Sequence, residues 1–113
     1  MFGIKEVDAN GLKKMIDDGE KVKLIDVRSE AEYNQGIIED GEFMPLHTLP
    51  ARLQDLPKDE TIVFYCRTGA RSGQACGYVK QNTGIEALNL SGGIVRWHQS
   101  GFPVVQPDTT RAN

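Results

Sequence analysis

One cysteine occupies a position where the local sequence favours a reactive thiolate. Cys66 directly follows residues 61–65, an apolar run typical of a buried strand, and it opens a loop that leads into a helix-like segment. Backbone N–H groups converge where such a loop meets a helix N-terminus, and they can hold an anion there without a metal ion. These surroundings lower the pKa of a thiol, so we expect Cys66 to be a nucleophile near neutral pH.

The loop after Cys66 has the composition of a small anion cradle. We expect its backbone N–H groups to face the sulfur, with Gly69 adopting a positive φ angle, and the two arginine charges to favour the thiolate. A direct electrostatic role and a structural ion pair are both open for Arg71, while Arg67 either contacts substrate or points to solvent. The predicted cradle consists of Arg67, Thr68, Gly69, Ala70, Arg71 and Ser72.

The length of this loop bears on which anion it holds. The candidates are a persulfide on Cys66 and a phosphoryl or arsenyl group bonded to the same sulfur. Four residues separate Cys66 from Arg71, one fewer than in the tyrosine-phosphatase signature C-x5-R. A tetrahedral oxyanion needs a wider ring of donors than a single sulfur atom does. The spacing therefore favours sulfur chemistry, with phosphatase or arsenate-reductase chemistry and a non-catalytic module as alternatives.

Length and composition indicate one soluble globular domain, predicted over residues 1–106 with a flexible tail over 107–113. The net charge of −3, with 13 Lys+Arg against 16 Asp+Glu, gives no reason to expect nucleic acid or a membrane surface as partner. No apolar stretch approaches a membrane span or a secretory signal. Cys66 and Cys76 form neither a disulfide framework nor a zinc pattern, so we expect a cytoplasmic protein without cofactor or metal.

Strand and helix signals alternate along the chain, which predicts an α/β fold. The expected sheet is mostly parallel, has about five strands and carries helices on both faces. Ligands bind beyond the carboxyl ends of such strands, where Cys66 is expected to lie. Strand signals cover residues 4–7, 22–27, 43–44, 61–65 and 87–90, and helix signals cover 9–18, 30–35, 48–56, 70–81 and 94–99. Asp8, Ser29 with Glu32, and Thr48 are the predicted N-caps of the first three helices.

Three stretches make the chain resemble the single-domain rhodaneses, which are sulfurtransferases. The resemblance extends over residues 4–105, and the stretches occur in the family's order and spacing. They are Leu-Ile-Asp-Val-Arg at 24–28 with Glu30 and Glu32 after it, the strand, cysteine and loop of residues 62–72, and Leu-Ser-Gly-Gly-Ile-Val-Arg-Trp at 90–97. The resemblance implies the rhodanese-like fold and a cycle in which Cys66 takes a sulfane sulfur from a small anionic donor such as thiosulfate. A thiophilic acceptor (cyanide, a thiol or a carrier protein) then removes it. By the same resemblance, Asp26, Arg28 and Trp97 are structural supports.

Residues 36–43 depart from the family pattern, because Ile37 and Glu39 replace its usual His and Pro. In the family this segment lies near the rim of the active site, so the resemblance leaves the choice of acceptor and the conformation of the segment open. The acidic residues Glu39, Asp40 and Glu42 are interpreted as a solvated loop. Cys76 is expected in the core, with a role as resolving thiol as the alternative. His47 and His98 are expected at or near the surface, without a metal.

Overall fold

The computed structural model describes residues 3–107 and contains the predicted α/β sheet. Five strands, all parallel, lie in the order β1-β5-β4-β2-β3, so β4 is the central strand, as its continuous apolar sequence predicts. The strands are β1 (Lys5–Val7), β2 (Val22–Asp26), β3 (Glu42–Phe43), β4 (Thr61–Tyr65) and β5 (Leu88–Leu90). The helices are α1 (Ala9–Asp17), α2 (Glu30–Gln35), α3 (Leu49–Arg52), α4 (Ala70–Thr83) and α5 (Gly93–Gln99).

The central strand β4 divides the core into two apolar clusters, because successive side chains of a strand point to opposite faces. Ile62 and Phe64 join the cluster on one face, with residues of α3 and α4, and Val63 and Tyr65 join the cluster on the other, with residues of α1 and α5. All four side chains are almost completely removed from solvent. This burial anchors the strand that carries Cys66 at its carboxyl end.

Two predicted N-caps are confirmed, and the third is wrong. Asp8 accepts a hydrogen bond from the Gly11 N–H, and Ser29 forms a capping box with Glu32. Thr48 makes no cap: its hydroxyl donates to the Pro45 carbonyl at 2.7 Å. The expected helix over 48–56 is instead a 3₁₀ turn (Leu46–Thr48), the single turn α3, and a second 3₁₀ turn (Leu53–Asp55).

The end of α4 and the start of the predicted tail also differ from expectation. Helix α4 continues to Thr83, whose hydroxyl donates to the Val79 carbonyl at 2.7 Å, and it ends at Gly84 with φ +79°. Gly84 can adopt this left-handed conformation without steric cost.

Pro107 is buried, so the first residue of the predicted tail packs against the domain. Residues 108–113 of that tail lie outside the described residues.

Candidate active site

Cys66 lies at the edge of the sheet where the carboxyl ends of the parallel strands meet. It follows Tyr65, the last residue of β4, which is paired with Asp26 at the end of β2. The Cys66 side chain continues the alternation of β4 into the cluster beneath α4, and the residue is 1% exposed. The N–H of Ile94 in α5 donates to the Cys66 carbonyl at 3.0 Å, which fixes the backbone there.

Three donors converge on the sulfur of Cys66. The Gly69 N–H lies 3.1 Å from Sγ, and the Ser72 N–H and Ser72 hydroxyl each lie 3.4 Å from it. Gly69 has φ +113°, a conformation that an L side chain rarely adopts, and it turns its N–H inward. Within the described residues, Arg67, Ala70 and Arg71 give no backbone hydrogen bond to Sγ. The cradle is therefore narrower than predicted.

Hydrogen bonds, rather than arginine charges, are the main cause of the shifted pKa of Cys66. Burial raises the pKa of this thiol, but donation from the Ser72 hydroxyl and from the N–H groups of Ser72 and Gly69 outweighs burial and lowers it below its ordinary value. Within residues 3–107, only its own backbone N–H acts in this way on the Cys76 thiol. Burial raises its pKa to about 12, and it lies in the apolar core, as predicted from its place on α4. The two thiols therefore differ sharply in expected reactivity.

Asn89 supports the cradle from β5, and the sequence analysis did not identify it. Its Oδ1 accepts a hydrogen bond from the Ser72 hydroxyl at 2.5 Å, and its Nδ2 donates to the Gly69 carbonyl at 3.1 Å. Nδ2 also lies 3.1 Å from Glu6 Oε2 on the edge strand β1. The residue is 3% exposed, so these bonds satisfy an amide that would otherwise be costly to bury. The sequence feature that could have identified it is a single asparagine inside the otherwise apolar strand 87–90.

The start of α5 holds the cradle loop from its other side. The Val95 N–H donates to the Arg67 carbonyl at 3.2 Å, so two carbonyl groups of the loop are bound by α5. A Cβ atom on Gly93 would clash with the Arg67 carbonyl oxygen, and Gly93 has φ +59°. Glycine is therefore required here both for close approach and for its backbone angle. This contact explains the second glycine of the pair Gly92-Gly93, with which α5 begins.

The two arginines of the loop have different surroundings. Arg71 forms a two-pronged ion pair with Glu32 of α2, with Nη1–Oε1 and Nη2–Oε2 distances of 2.8 and 2.9 Å. Of the two roles left open for Arg71, the structural ion pair is thus present. Arg67 is exposed and has no ion-pair partner within residues 3–107. Hydrogen bonds from Arg71, and to a lesser degree from Ser29, lower the pKa of Glu32 to about 2.

Asp26 and Arg28 form a buried ion pair at the carboxyl end of β2. Arg28 Nε and Nη2 donate to the Asp26 carboxylate at 2.8 to 3.1 Å, and Nη2 also donates to the Gly36 carbonyl at 2.7 Å. The guanidinium lies 5.6 Å from the centre of the Tyr65 ring. Trp97 is 2% exposed and donates from Nε1 to the Pro103 carbonyl at 2.8 Å. These three predicted supports pack or bind within the domain, away from Sγ.

The atypical segment 36–43 is folded onto the C-terminal part of the chain. Ile37 and Val105 exchange two backbone hydrogen bonds of 2.8 Å each. Glu39 and Asp40 are exposed, and Asp40 has φ +68°. The interpretation of Glu42 as part of a solvated loop is wrong: Glu42 is half-buried in β3 and forms ion pairs with Lys23 and Arg52.

Within residues 3–107, neither a group of metal ligands nor a membrane-spanning helix is present. His47 and His98 are exposed, as expected, and no group of three His, Cys, Asp or Glu side chains within residues 3–107 could hold a metal ion. No helix in this part of the chain combines the length and the apolar composition that crossing a bilayer requires.

Comparison with known proteins identifies relatives across nearly the whole chain. The Rhodanese-like domain family matches residues 8–100. A sulfurtransferase of Allochromatium vinosum is 44% identical over 93% of this chain and 98% of its own length, and the putative sulfurtransferase YtwF of Bacillus subtilis is 35% identical over 88% and 96%. The crystal structure of a rhodanese-related protein from Thermoplasma volcanium, 28% identical, superimposes with a TM-score of 0.81 over 89% of this chain and 97% of that chain.

Proposed function

Because this chain belongs to the Rhodanese-like domain family and is a rhodanese-type sulfurtransferase, we propose that Cys66 carries the transferred sulfur as a persulfide. The donor is a small anionic sulfane-sulfur compound such as thiosulfate. The acceptor is a thiophilic group, which is cyanide in an assay and a thiol or carrier protein in the cell. Cys66 is the catalytic residue of this proposal, and the loop residues 67–72 bind the donor.

The observation that carries the proposal is the convergence of donors on one sulfur atom. The N–H groups of Gly69 and Ser72 and the Ser72 hydroxyl all lie within 3.4 Å of Sγ. Such donors favour a thiolate over a thiol, and a terminal persulfide sulfur carries the same single negative charge. Preorganised donors of this kind need no rearrangement when the thiolate forms. The cradle therefore favours the nucleophile that begins the cycle and receives the Cys66 thiolate again when the persulfide is unloaded.

The loading step is a displacement at sulfur with conserved charge. The Cys66 thiolate attacks the outer sulfur of thiosulfate, the S–S bond to the sulfonate group breaks, and sulfite leaves with its electron pair. One negative charge on Cys66 and two on thiosulfate become one on the persulfide and two on sulfite. Arg67 is an exposed residue of the loop, and its positive charge attracts the anionic donor.

In the unloading step the acceptor attacks the outer sulfur of the persulfide. The new bond forms between that sulfur and the acceptor, and the Cys66 thiolate leaves and returns to its cradle. Cyanide gives thiocyanate, and a thiolate gives a new persulfide. A cycle of this kind shows ping-pong kinetics, since the first product departs before the acceptor reacts.

Mass spectrometry of the loaded protein tests the proposal. After incubation with thiosulfate and removal of excess donor, the fragment containing Cys66 should gain about 32 Da, and cyanide should remove that mass as thiocyanate. Cys76→Ser is the matched control, because it removes the buried thiol and should load normally. Cys66→Ser should neither load nor turn over. Full thiocyanate production by Cys66→Ser would refute the role of Cys66.

A further inference from the structure

A chain of hydrogen bonds leads from the edge strand β1 to the sulfur of Cys66. Asn89 Nδ2 donates to Glu6 Oε2 and to the Gly69 carbonyl, at 3.1 Å each. Asn89 Oδ1 accepts from the Ser72 hydroxyl at 2.5 Å, and the oxygen of that hydroxyl lies 3.4 Å from Sγ. One buried amide therefore contacts both Gly69 and Ser72, the two residues that donate to the sulfur.

The chemistry of its partners fixes which way the Asn89 amide faces. An ionised carboxylate and a backbone carbonyl can only accept hydrogen bonds, so the amide atom that contacts them is the NH₂ nitrogen. Its two hydrogens are then used, one for Glu6 and one for Gly69. The amide oxygen is left facing Ser72 and can only accept. Ser72 is therefore the donor of the bond between them.

The Ser72 hydroxyl has one proton and two acceptors within reach. Rotation about its C–O bond turns the proton from Sγ to Asn89 Oδ1 without moving any heavier atom. The residue is 0% exposed, so bulk water does not serve as a third acceptor. A buried hydroxyl that lacks an acceptor destabilises the state in which it occurs. Asn89 supplies an acceptor whenever the sulfur is a poor one.

The charge on Sγ decides between the two acceptors. A thiolate accepts strong, charge-assisted hydrogen bonds, whereas a neutral thiol or the inner sulfur of a persulfide accepts weakly. When the Cys66 thiolate attacks a sulfane sulfur, the new S–S bond makes Sγ neutral, and the leaving group departs with the electron pair of the bond that breaks. On unloading, the acceptor bonds to the outer sulfur, the S–S bond breaks, and Sγ regains its negative charge. Neither step needs a proton from Ser72, whose hydroxyl only turns.

We propose that Asn89 is a positioning residue for sulfur transfer: its amide oxygen holds the Ser72 hydroxyl while Sγ is neutral and releases it to Sγ when the thiolate forms. The hydroxyl follows the charge on Cys66 through the cycle and has an acceptor in every state. Glu6 acts one contact further out, by holding Nδ2 and with it the orientation of the amide. This inference rests on the proposed persulfide function and adds the residue that serves the loaded state.

The charged side chains around this network stay in place when the hydroxyl turns. They are Glu6 on β1, Arg67 in the loop, and Arg71 in α4 with its partner Glu32 in α2. Arg71 interacts electrostatically with Cys66 in any state of the hydroxyl. An effect of the hydroxyl is therefore separable from the effect of these charges by removing the hydroxyl alone, as Ser72→Ala does.

Carbon-13 NMR of the Asn89 side chain tests the proposal in the native protein. The chemical shift of Asn89 Cγ responds to the hydrogen bond that the amide oxygen accepts. We expect similar values for the Cys66 thiol and for the persulfide, and a different value for the thiolate, in which the hydroxyl has turned to Sγ. In Ser72→Ala this difference should disappear. Asn82 is the internal reference, because its amide makes an exposed contact to the Tyr78 carbonyl.

A double-mutant cycle measures the competition between the two acceptors. Asn89→Leu keeps the approximate shape of the side chain and removes the acceptor, so Sγ no longer shares the Ser72 proton with Oδ1. Ser72→Ala should therefore slow alkylation of Cys66 at least about tenfold in the Asn89→Leu background, against roughly fivefold in the otherwise native chain. Cyanide should unload Asn89→Leu roughly two- to fivefold faster than the native protein, because its persulfide lacks the acceptor for the hydroxyl. A general loosening of the cradle would slow unloading instead.

Three results would overturn the proposal. They are one Asn89 Cγ shift in all states of Cys66, a state dependence that persists in Ser72→Ala, and an equal effect of Ser72→Ala in both backgrounds. Each of them leaves the persulfide cycle intact. Absence of the added sulfur mass on the Cys66 fragment would instead refute the proposed function, and the comparison of thiol with thiolate would still test the turn of the hydroxyl.

Discussion

Replacing Ser72 with alanine tests whether the cradle sets the acidity of Cys66. The Ser72 hydroxyl is one of three donors to Sγ, and Ser72→Ala removes it while both backbone donors stay in place. Alanine is also favourable inside α4, so the helix should be retained. The hydrogen bond stabilises the thiolate against the opposing effect of burial, and its loss should therefore raise the pKa of Cys66.

The distances give the size of the expected change. A hydrogen bond to a charged group contributes about 1.5–3 kcal/mol. The Ser72 hydroxyl has one proton, and Asn89 Oδ1 at 2.5 Å competes for it with Sγ at 3.4 Å. We therefore expect less than the usual contribution, about 1 kcal/mol, which corresponds to roughly fivefold slower alkylation at any pH below the pKa of both proteins, at 1.36 kcal/mol per factor of ten.

The assay is the rate of alkylation of Cys66 by iodoacetamide as a function of pH, followed by the mass of the Cys66 fragment. Cys76 does not interfere, because it is buried and its pKa is raised to about 12. Ser91→Ala is a suitable control: its hydroxyl binds the Val7 carbonyl at 3.3 Å and does not contact the sulfur. The rates of all variants should converge at high pH, where the thiol is fully ionised.

An unchanged or lowered pKa in Ser72→Ala would refute this reasoning. The backbone N–H groups alone would then account for the acidity of Cys66. An equal rise in Ser91→Ala would point to a general loosening of the sheet edge instead. Either result would remove the Ser72 hydroxyl from the cradle while leaving the contribution of the Ser72 and Gly69 N–H groups open to its own test.

Two further predictions concern the framework around the site. Arg28→Ala should destabilise the domain by about 3–5 kcal/mol in urea unfolding, because it leaves the carboxylate of Asp26 buried without its partner; a loss below about 1 kcal/mol would mean that the pair is solvated. Gly93→Ala should slow persulfide formation at Cys66 and lower the melting temperature, because its Cβ would clash with the Arg67 carbonyl oxygen. Gly84→Ala is the control, since Gly84 also has a positive φ angle but no atom lies within 4 Å of its Cβ. Equal effects of the two substitutions on loading would contradict the role of the clash.

Local sequence rules were enough to predict the elements that carry the site. The apolar run before Cys66 predicts a strand buried on both faces, and Ser29 with Glu32 predicts the start of α2; both are confirmed. Gly69 was expected to have a positive φ angle, and it does. These features depend on residues within a few positions of one another, so short-range preferences of hydrophobic pattern, helix capping and backbone angle are enough to predict them.

The same rules do not decide between alternative hydrogen bonds that the local sequence allows. Thr48 has the residue type of an N-cap, but its hydroxyl binds the Pro45 carbonyl instead. The number of donors at Sγ was overestimated, because a turn of six residues can direct only some of its N–H groups toward one atom. Each error arises where two local geometries are both allowed and the surrounding chain selects one.

The sequence by itself determined that a cysteine follows a buried strand and begins a glycine-containing loop that leads into a helix, because hydrophobic pattern and backbone preference act over short distances. Only the tertiary structure decided which side chains surround that cysteine. Placing β4 between β2 and β5 brings Asn89 to Ser72 and Glu32 to Arg71. Such contacts depend on the order of strands in the sheet, which is set by the packing of the whole core rather than by residues near Cys66.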